Sequence, residues 1–318
     1  MVTPALRVVF FGTPAFAVPT LERLLASSHQ VVGVVTQPDR PRGRGQHITV
    51  GAVKALALSA GLPVLQPDRL ARDQFEAPLT RLGADIGAVA AYGKLLPDWL
   101  LATPPRGLIN VHASLLPRYR GASPIHRAIM NGDLETGVTI MRVAKAMDAG
   151  AILDQVRVAI GIDDTTEVMS QRLAVEGAAL LVKTLDRMAI GPVTETPQSD
   201  AQATYAPRLV KADGLIDWSR PAAAIHNQIR GLAPWPHAYS FLAGTRYIIH
   251  RSKLTDKPTL LPAGTVALAS AADGVMVACG DGRALELADV QLEGKRVLAA
   301  RELLASGSLA AGARFESA

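Results

Sequence analysis

Asn110-Val111-His112 closes an apolar run and is followed by Ser114-Leu115-Leu116-Pro117. In an extended chain, side chains at i and i+2 project from the same face. An amide donor and an imidazole therefore share one face at the end of a strand. Such a pair can stabilise negative charge on an oxygen and move a proton near neutral pH. In isolation, Asn-x-His is more often a strand-end Asn satisfying a turn beside an incidental His. Met147-Asp148-Ala149-Gly150 adds a carboxylate 36 residues beyond His112, in what spacing alone reads as a turn between two β-like stretches. Arg118-Tyr119-Arg120-Gly121 opens a basic loop that enters a helix. Arg40, Arg42 and Arg44 lie within five residues, separated by Pro41 and Gly43. This spacing suits an exposed loop that meets phosphates, although such loops are commonly only solvated.

Short apolar runs at 7–12, 31–36, 86–91 and 107–112 alternate with helical patterns at 20–26 and 53–60, and 165–188 reads as a long helix. Continuous rather than alternating apolar runs are those of parallel strands covered on both faces. The expected fold is α/β: a doubly wound, mostly parallel, Rossmann-like sheet, which binds ligands beyond the C-terminal ends of its strands. Composition shifts at Gly191, where Pro192, Pro197 and Pro207 sit among polar residues. Beyond lie short β-like runs at 247–250, 264–268, 274–278 and 284–287, after one helix near 221–231. These predict a second, smaller, OB-like β-barrel. The expected organisation is a catalytic domain over 1–190, a linker over 191–207 and a barrel domain over 208–318. Trp218 and Trp235 are expected to pack in a core or against the other domain.

The 318 residues are 49% hydrophobic and 19% charged, which excludes a disordered chain. The single Cys279 excludes an intrachain disulfide framework and a Cys-rich metal site. His and carboxylates show no metal-ligand spacing, so no metal is expected. Gly12-Thr13-Pro14 supplies one Gly after the first strand instead of Gly-x-Gly-x-x-Gly, which disfavours NAD. No apolar stretch approaches the roughly 20 residues that span a bilayer, so a cytoplasmic protein without membrane contact is expected. The net charge of +5 is uneven, and 208–257 alone carries +5. A patchy polyanion contact is permitted.

Together, Asn110-Val111-His112, Ser114-Leu115-Leu116-Pro117, Arg120-Gly121-Ala122, Pro124-Ile125 and Asp148 resemble the signature of folate-dependent formyltransferases. Gly12-Thr13-Pro14, Thr36-Gln37-Pro38-Asp39-Arg40-Pro41, Gly43-Arg44-Gly45, Gly137-Val138-Thr139-Ile140-Met141 and Pro234-Trp235-Pro236 extend the resemblance over essentially the whole chain. It implies transfer of a formyl group from N10 of 10-formyltetrahydrofolate, as cosubstrate, to the α-amino group of methionine on initiator tRNA. Asn110 and a protonated His112 would stabilise charge on the formyl oxygen, with Asp148 orienting His112 and relaying a proton. Ser114, Leu115, Leu116, Pro117 and the loop backbone at Ala90, Ala91 and Tyr92 would line the folate pocket. Arg40, Arg42 and Arg44 would enter the acceptor end of the tRNA. Arg208, Lys211, Arg246, Arg251 and Lys253 would face its backbone from the barrel. A monomer is expected. The main alternative is a formyltransferase for a small amine, such as glycinamide ribonucleotide or an amino sugar nucleotide. Hydrolysis of formyltetrahydrofolate, or RNA binding by an inactive enzyme fold, would leave part of this set unexplained.

Overall fold

The computed structural model describes residues 4–42, 47–270, 272–306 and 309–316. In chain order the first stretch runs β1 (Arg7–Gly12), α1 (Val18–Leu25), β2 (Gln30–Val35), β3 (Arg40–Arg42), β4 (His47–Thr49), α2 (Ala52–Ser59), β5 (Val64–Leu65) and α3 (Arg72–Arg81). It continues with β6 (Ile86–Ala90), α4 (Asp98–Leu101), β7 (Leu108–His112), β8 (Arg120–Gly121), α5 (Pro124–Met130), β9 (Glu135–Arg142), β10 (Ile152–Ala159), α6 (Thr166–Ile190) and β11 (Tyr205–Ala206). The rest contains α7 (Ala222–Gly231), β12 (Ala238–Leu242), β13 (Thr245–Pro258), β14 (Val266–Ser270), β15 (Gly274–Ala278), β16 (Arg283–Leu292) and β17 (Val297–Ala299). Two compact units result. One comprises 1–121, 136–158 and 170–206; the other comprises 122–135, 159–169 and 207–318.

The first unit is built on a seven-stranded sheet in the order β10-β9-β7-β6-β1-β2-β5. β1 pairs with β2 and β6, β6 with β7, and β2 with β5, all in parallel; β7–β9 is antiparallel. Val8 to Phe11 and the whole of β6 are buried, as strands covered on both faces must be. One core cluster gathers Val9, Phe11, Val35, Phe75, Leu79, Val89, Tyr92, Leu100 and Leu108. Parallel pairing brings the C-terminal ends of β1, β2, β6 and β7 to one edge of the sheet. The strand ending in Asn110 and His112 therefore opens at the edge where such sheets bind ligands. Behind it, a Cβ at Gly177 of α6 would fall 2.7 Å from Val111 Cγ1, so glycine lets this helix lie directly on β7.

The second unit carries a six-stranded antiparallel sheet, in the order β12-β13-β16-β15-β14 with β17 on β16. Its core centres on Trp218, fully buried, stacked on Phe315 at 5.4 Å, with Nε1 donating to Ser240 Oγ at 3.0 Å. Trp218 meets the core expectation. Trp235 departs from it in this unit, the residue being 51% exposed on the Pro234-Trp235-Pro236 loop. No described helix is long and apolar enough to cross a membrane.

Candidate active site

β7 delivers Asn110 and His112 to one face, with Val111 turned back toward α6. Asn110 is half-buried, and its amide has no hydrogen-bond partner among the described residues. His112 is buried; its Nε2 donates to the Tyr119 carbonyl at 3.0 Å, and its Nδ1 lies 3.6 Å from Asp148 Oδ2. Asp148 Oδ2 also accepts the Gly121 N–H at 2.8 Å. Oδ1 has no partner among the described residues. The structure thus brings together all three residues expected from the sequence, though 36 positions separate the last two. With Nε2 committed to a carbonyl, Nδ1 is the ring atom able to exchange a proton with the carboxylate. Asn110 is left as the donor free to meet a substrate oxygen.

Two loops make this arrangement. Tyr119 and Asp148 both adopt left-handed backbone conformations, at φ 62° and 51°. Such conformations persist in non-glycine residues when surrounding contacts over-determine them. At Tyr119 the contacts are the N–H donated to Thr204 Oγ1 at 2.9 Å and the β8–β11 pairing that follows. Gly121 has φ 121°, and a Cβ there would fall 2.7 Å from the Ala206 carbonyl, so the close approach of β8 to β11 requires glycine. The Ser114–Pro117 segment is pinned from beneath. Ser114 Oγ donates to the Arg118 carbonyl at 2.6 Å, and Thr139 Oγ1 donates to the Ser114 carbonyl at 2.7 Å.

The residues expected to line a folate pocket divide by exposure. Leu115 and Pro117 are half-buried and available as apolar wall, whereas Ser114 and Leu116 are buried and support it. Ala90 is buried in β6, and Ala91 is exposed at φ 47°. Tyr92 turns its ring into the core, edge-on to Phe11 at 5.7 Å. Burial pushes its hydroxyl up to about 12. Its carbonyl accepts Gln37 Nε2 at 2.8 Å and Thr13 Oγ1 at 3.3 Å.

The basic hairpin stem is anchored by Asp39, whose carboxylate pairs with Lys54 Nζ and accepts Gln66 Nε2 at 3.3 Å. The Lys54 hydrogen bond, ahead of Gln66, holds Asp39 below the usual carboxylate range. β3 and β4 pair antiparallel, with Arg42 opposite His47. Arg40 is exposed; Arg44 and the Arg42 side chain lie outside the described residues. On the second unit, Arg208 and Lys211 are exposed and unpaired among the described residues. The other three expected cations face acids across the β13–β16 ladder: Arg246–Glu293 at 3.9 Å, Arg251–Asp289 at 2.5 Å and Lys253–Glu286 at 3.5 Å. Arg246 also lies 3.9 Å over the Tyr239 ring. No group of three or more His, Cys, Asp or Glu among the described residues could hold a metal ion.

Sequence reasoning missed a layer around the trio. Gln198 Nε2 donates to the carbonyls of Asp148 and Gly150 at 2.8 and 2.7 Å, and its Oε1 accepts Arg120 Nε at 3.0 Å. The segment predicted as linker also contributes Thr204, Asp200 and β11 to the first unit.

The family model described as formyl transferase matches residues 6–185, and that described as formyl transferase, C-terminal domain, matches 208–307. The chain belongs to the formyltransferase family. It is 46% identical over 299 residues to the methionyl-tRNA formyltransferase of Moorella thermoacetica, covering 94% of this chain and 96% of that one. It is 48% identical to the protein of that name from a Synechococcus strain, over 98% of each chain. Among solved structures it resembles the N-formyltransferase of Helicobacter canadensis, crystallised with folinic acid and dTDP-3-aminofucose. The TM-score is 0.67 at 21% identity, covering 88% of this chain and 98% of that one, a likeness of fold.

Proposed function

We propose that the chain transfers the formyl group of 10-formyltetrahydrofolate to the α-amino group of methionyl initiator tRNA. The observation that carries the chemistry is a free Asn110 amide beside a His112–Asp148 pair at the ligand-binding edge of the sheet. An α-amino group titrates near about 8, so a useful fraction is neutral and nucleophilic at cellular pH. Asn110 donates to the formyl oxygen as it gains charge, a role worth roughly 100–1000-fold in rate. His112 supports that charge as an imidazolium whose Nδ1 proton faces Asp148. Asp148 takes the proton lost by the amine through Oδ1, which has no partner among the described residues, and that proton passes on to N10 as the bond between N10 and the formyl carbon breaks and tetrahydrofolate leaves. Leu115 and Pro117 suit a flat pterin ring, with the backbone at Ala90, Ala91 and Tyr92 beside its polar edge.

In this reading the unit built on the seven-stranded sheet, with 191–206 laid against its loops, holds the formyl chemistry, and 208–318 face RNA. Arg40, Arg208 and Lys211 would meet phosphates without first leaving an acid among the described residues, and Arg42 and Arg44 join them as members of the same basic run of the sequence. Arg246, Arg251 and Lys253 would have to exchange a protein carboxylate for a phosphate. The relatives named above support tRNA as substrate over a small amine. A parallel assay with 10-formyltetrahydrofolate and Met-tRNA, free methionine or an amino sugar nucleotide tests this. Formylation of Met-tRNA alone is expected; faster turnover of the sugar nucleotide would overturn the assignment.

A further inference from the structure

We infer that Gln198 is a positioning residue of the active site, holding the turn that carries Asp148 so that its carboxylate meets His112. The turn at 147–150 is irregular, and Asp148 sits in it with a left-handed backbone, a conformation that a non-glycine residue leaves when unsupported. Gln198 supplies that support with its whole amide. Both N–H groups point at carbonyls of the turn, Asp148 at 2.8 Å and Gly150 at 2.7 Å, while its oxygen accepts Arg120 Nε at 3.0 Å. Arg120 is buried, and its other arm reaches Asp200 at 2.8 Å, so the amide is itself held from behind.

The geometry closes a ring. Arg120 begins β8; the next residue, Gly121, donates to Asp148 Oδ2, and the preceding one, Tyr119, gives His112 its carbonyl partner. One side chain from 191–207 thus ties the backbone that orients the imidazole to the backbone that presents the carboxylate. A Cβ at Gly150 would run into the Arg142 carbonyl, so the turn is packed on one side and held by Gln198 on another. Loss of the amide frees Asp148 to rotate away from Nδ1, and small misplacements of a reacting group cost up to roughly 100-fold in rate.

The inference rests on the proposed role of Asp148, and the experiment separates the two. Gln198→Met keeps the volume and removes all three bonds. Gln198→Glu keeps the contact with Arg120 and removes only the two bonds donated to the turn. Both should lower kcat by about 10–100-fold, with KM for folate and Met-tRNA within about twofold of the parent. The decisive measurement is the double-mutant cycle with Asp148→Asn. A residue acting through Asp148 adds little further loss once that carboxylate is gone, whereas independent defects multiply. Multiplied losses, or an unchanged kcat in the folded Gln198→Glu protein, would overturn the inference. Failure of the parent enzyme to formylate Met-tRNA would overturn the functional reading instead, leaving the cycle to be run on the amine it does accept.

Discussion

Among the described residues, the end of β7 leaves a hydrogen-bond donor without a partner, whereas along β13 every Arg and Lys has one. The Asn110 amide is unpaired among the described residues, while Arg246, Arg251, Lys253 and Lys257 each meet an acid, the last at 3.2 Å from Asp273. The contrast separates groups prepared for a ligand from groups already satisfied by the protein. A residue poised for catalysis keeps an unused bond in a site otherwise fixed by hydrogen bonds. A cation on a strand beside an acidic neighbour is neutralised at short range, and such exposed pairs add about 0–1 kcal/mol of stability. Charge counted along 208–257 therefore overstates the positive field that part of the chain presents.

The largest expected effect breaks the contrast at its catalytic end. Asn110→Ala, His112→Ala and Asp148→Ala should each lower kcat by about 100–1000-fold, with the circular dichroism spectrum unchanged. Single-turnover formylation measures this, and near-normal turnover by His112→Ala would remove that residue from the mechanism. A smaller effect sharpens the other end. Arg40→Ala, Arg208→Ala or Lys211→Ala should raise KM for Met-tRNA and reduce the slope of log affinity against log salt by about 1 each. Arg251→Ala and Lys253→Ala should do less, because each removes a charge already balanced by Asp289 or Glu286. Equal slopes for the two groups would show that the ladder opens to bind RNA.

The smallest effect is on stability. His29 in the first unit and His226 in the second are buried, and desolvation, ahead of their attraction to Asp186 and to the Ile162 carbonyl, lowers both from the ordinary 6.5. The unfolded chain then takes up protons first as pH falls, so this stabilisation is complete above about 6.5 and declines below it. Thermal unfolding between pH 7 and 5 should show a falling Tm, with a shallower slope in His226→Gln. A flat profile would mean these histidines fold in their charged form.

Residues 1–190 were the more legible part, because burial on both faces leaves an unbroken apolar run in the chain. β1, β6 and β7 were readable for that reason, and the two-residue period placed Asn110 beside His112 without any tertiary information. α3 was not, since Arg72–Arg81 is polar and contains Pro78. β13 was read as four residues although it runs from Thr245 to Pro258. From Arg251 on its residues are mostly charged or hydroxylated, and the partners that pair with them on β16 lie 25–38 residues away. Asp148 was legible only through family resemblance, its spacing saying no more than turn. Gln198 left no trace, because two of its three bonds go to backbone carbonyls and backbone has no sequence signature. Proline and polar residues made 191–207 look like spacer, and nothing local distinguishes a spacer from a segment laid against the catalytic loops.

The pairing of β8 with β11 has a practical consequence for recombining these domains. A chimera joined at Gly191 would replace Gln198, Thr204 and Ala206 with residues matched to another protein's loops, and would lose the hydrogen bonds that hold the Asp148 turn and the Tyr119 backbone. A junction placed after Ala206 keeps the β8–β11 pairing and the Gln198 bonds, and leaves 122–135 and 159–169 of the second unit behind with the first. The last crossing of the chain between the two units therefore falls after Ala206, some fifteen residues beyond the composition shift at Gly191.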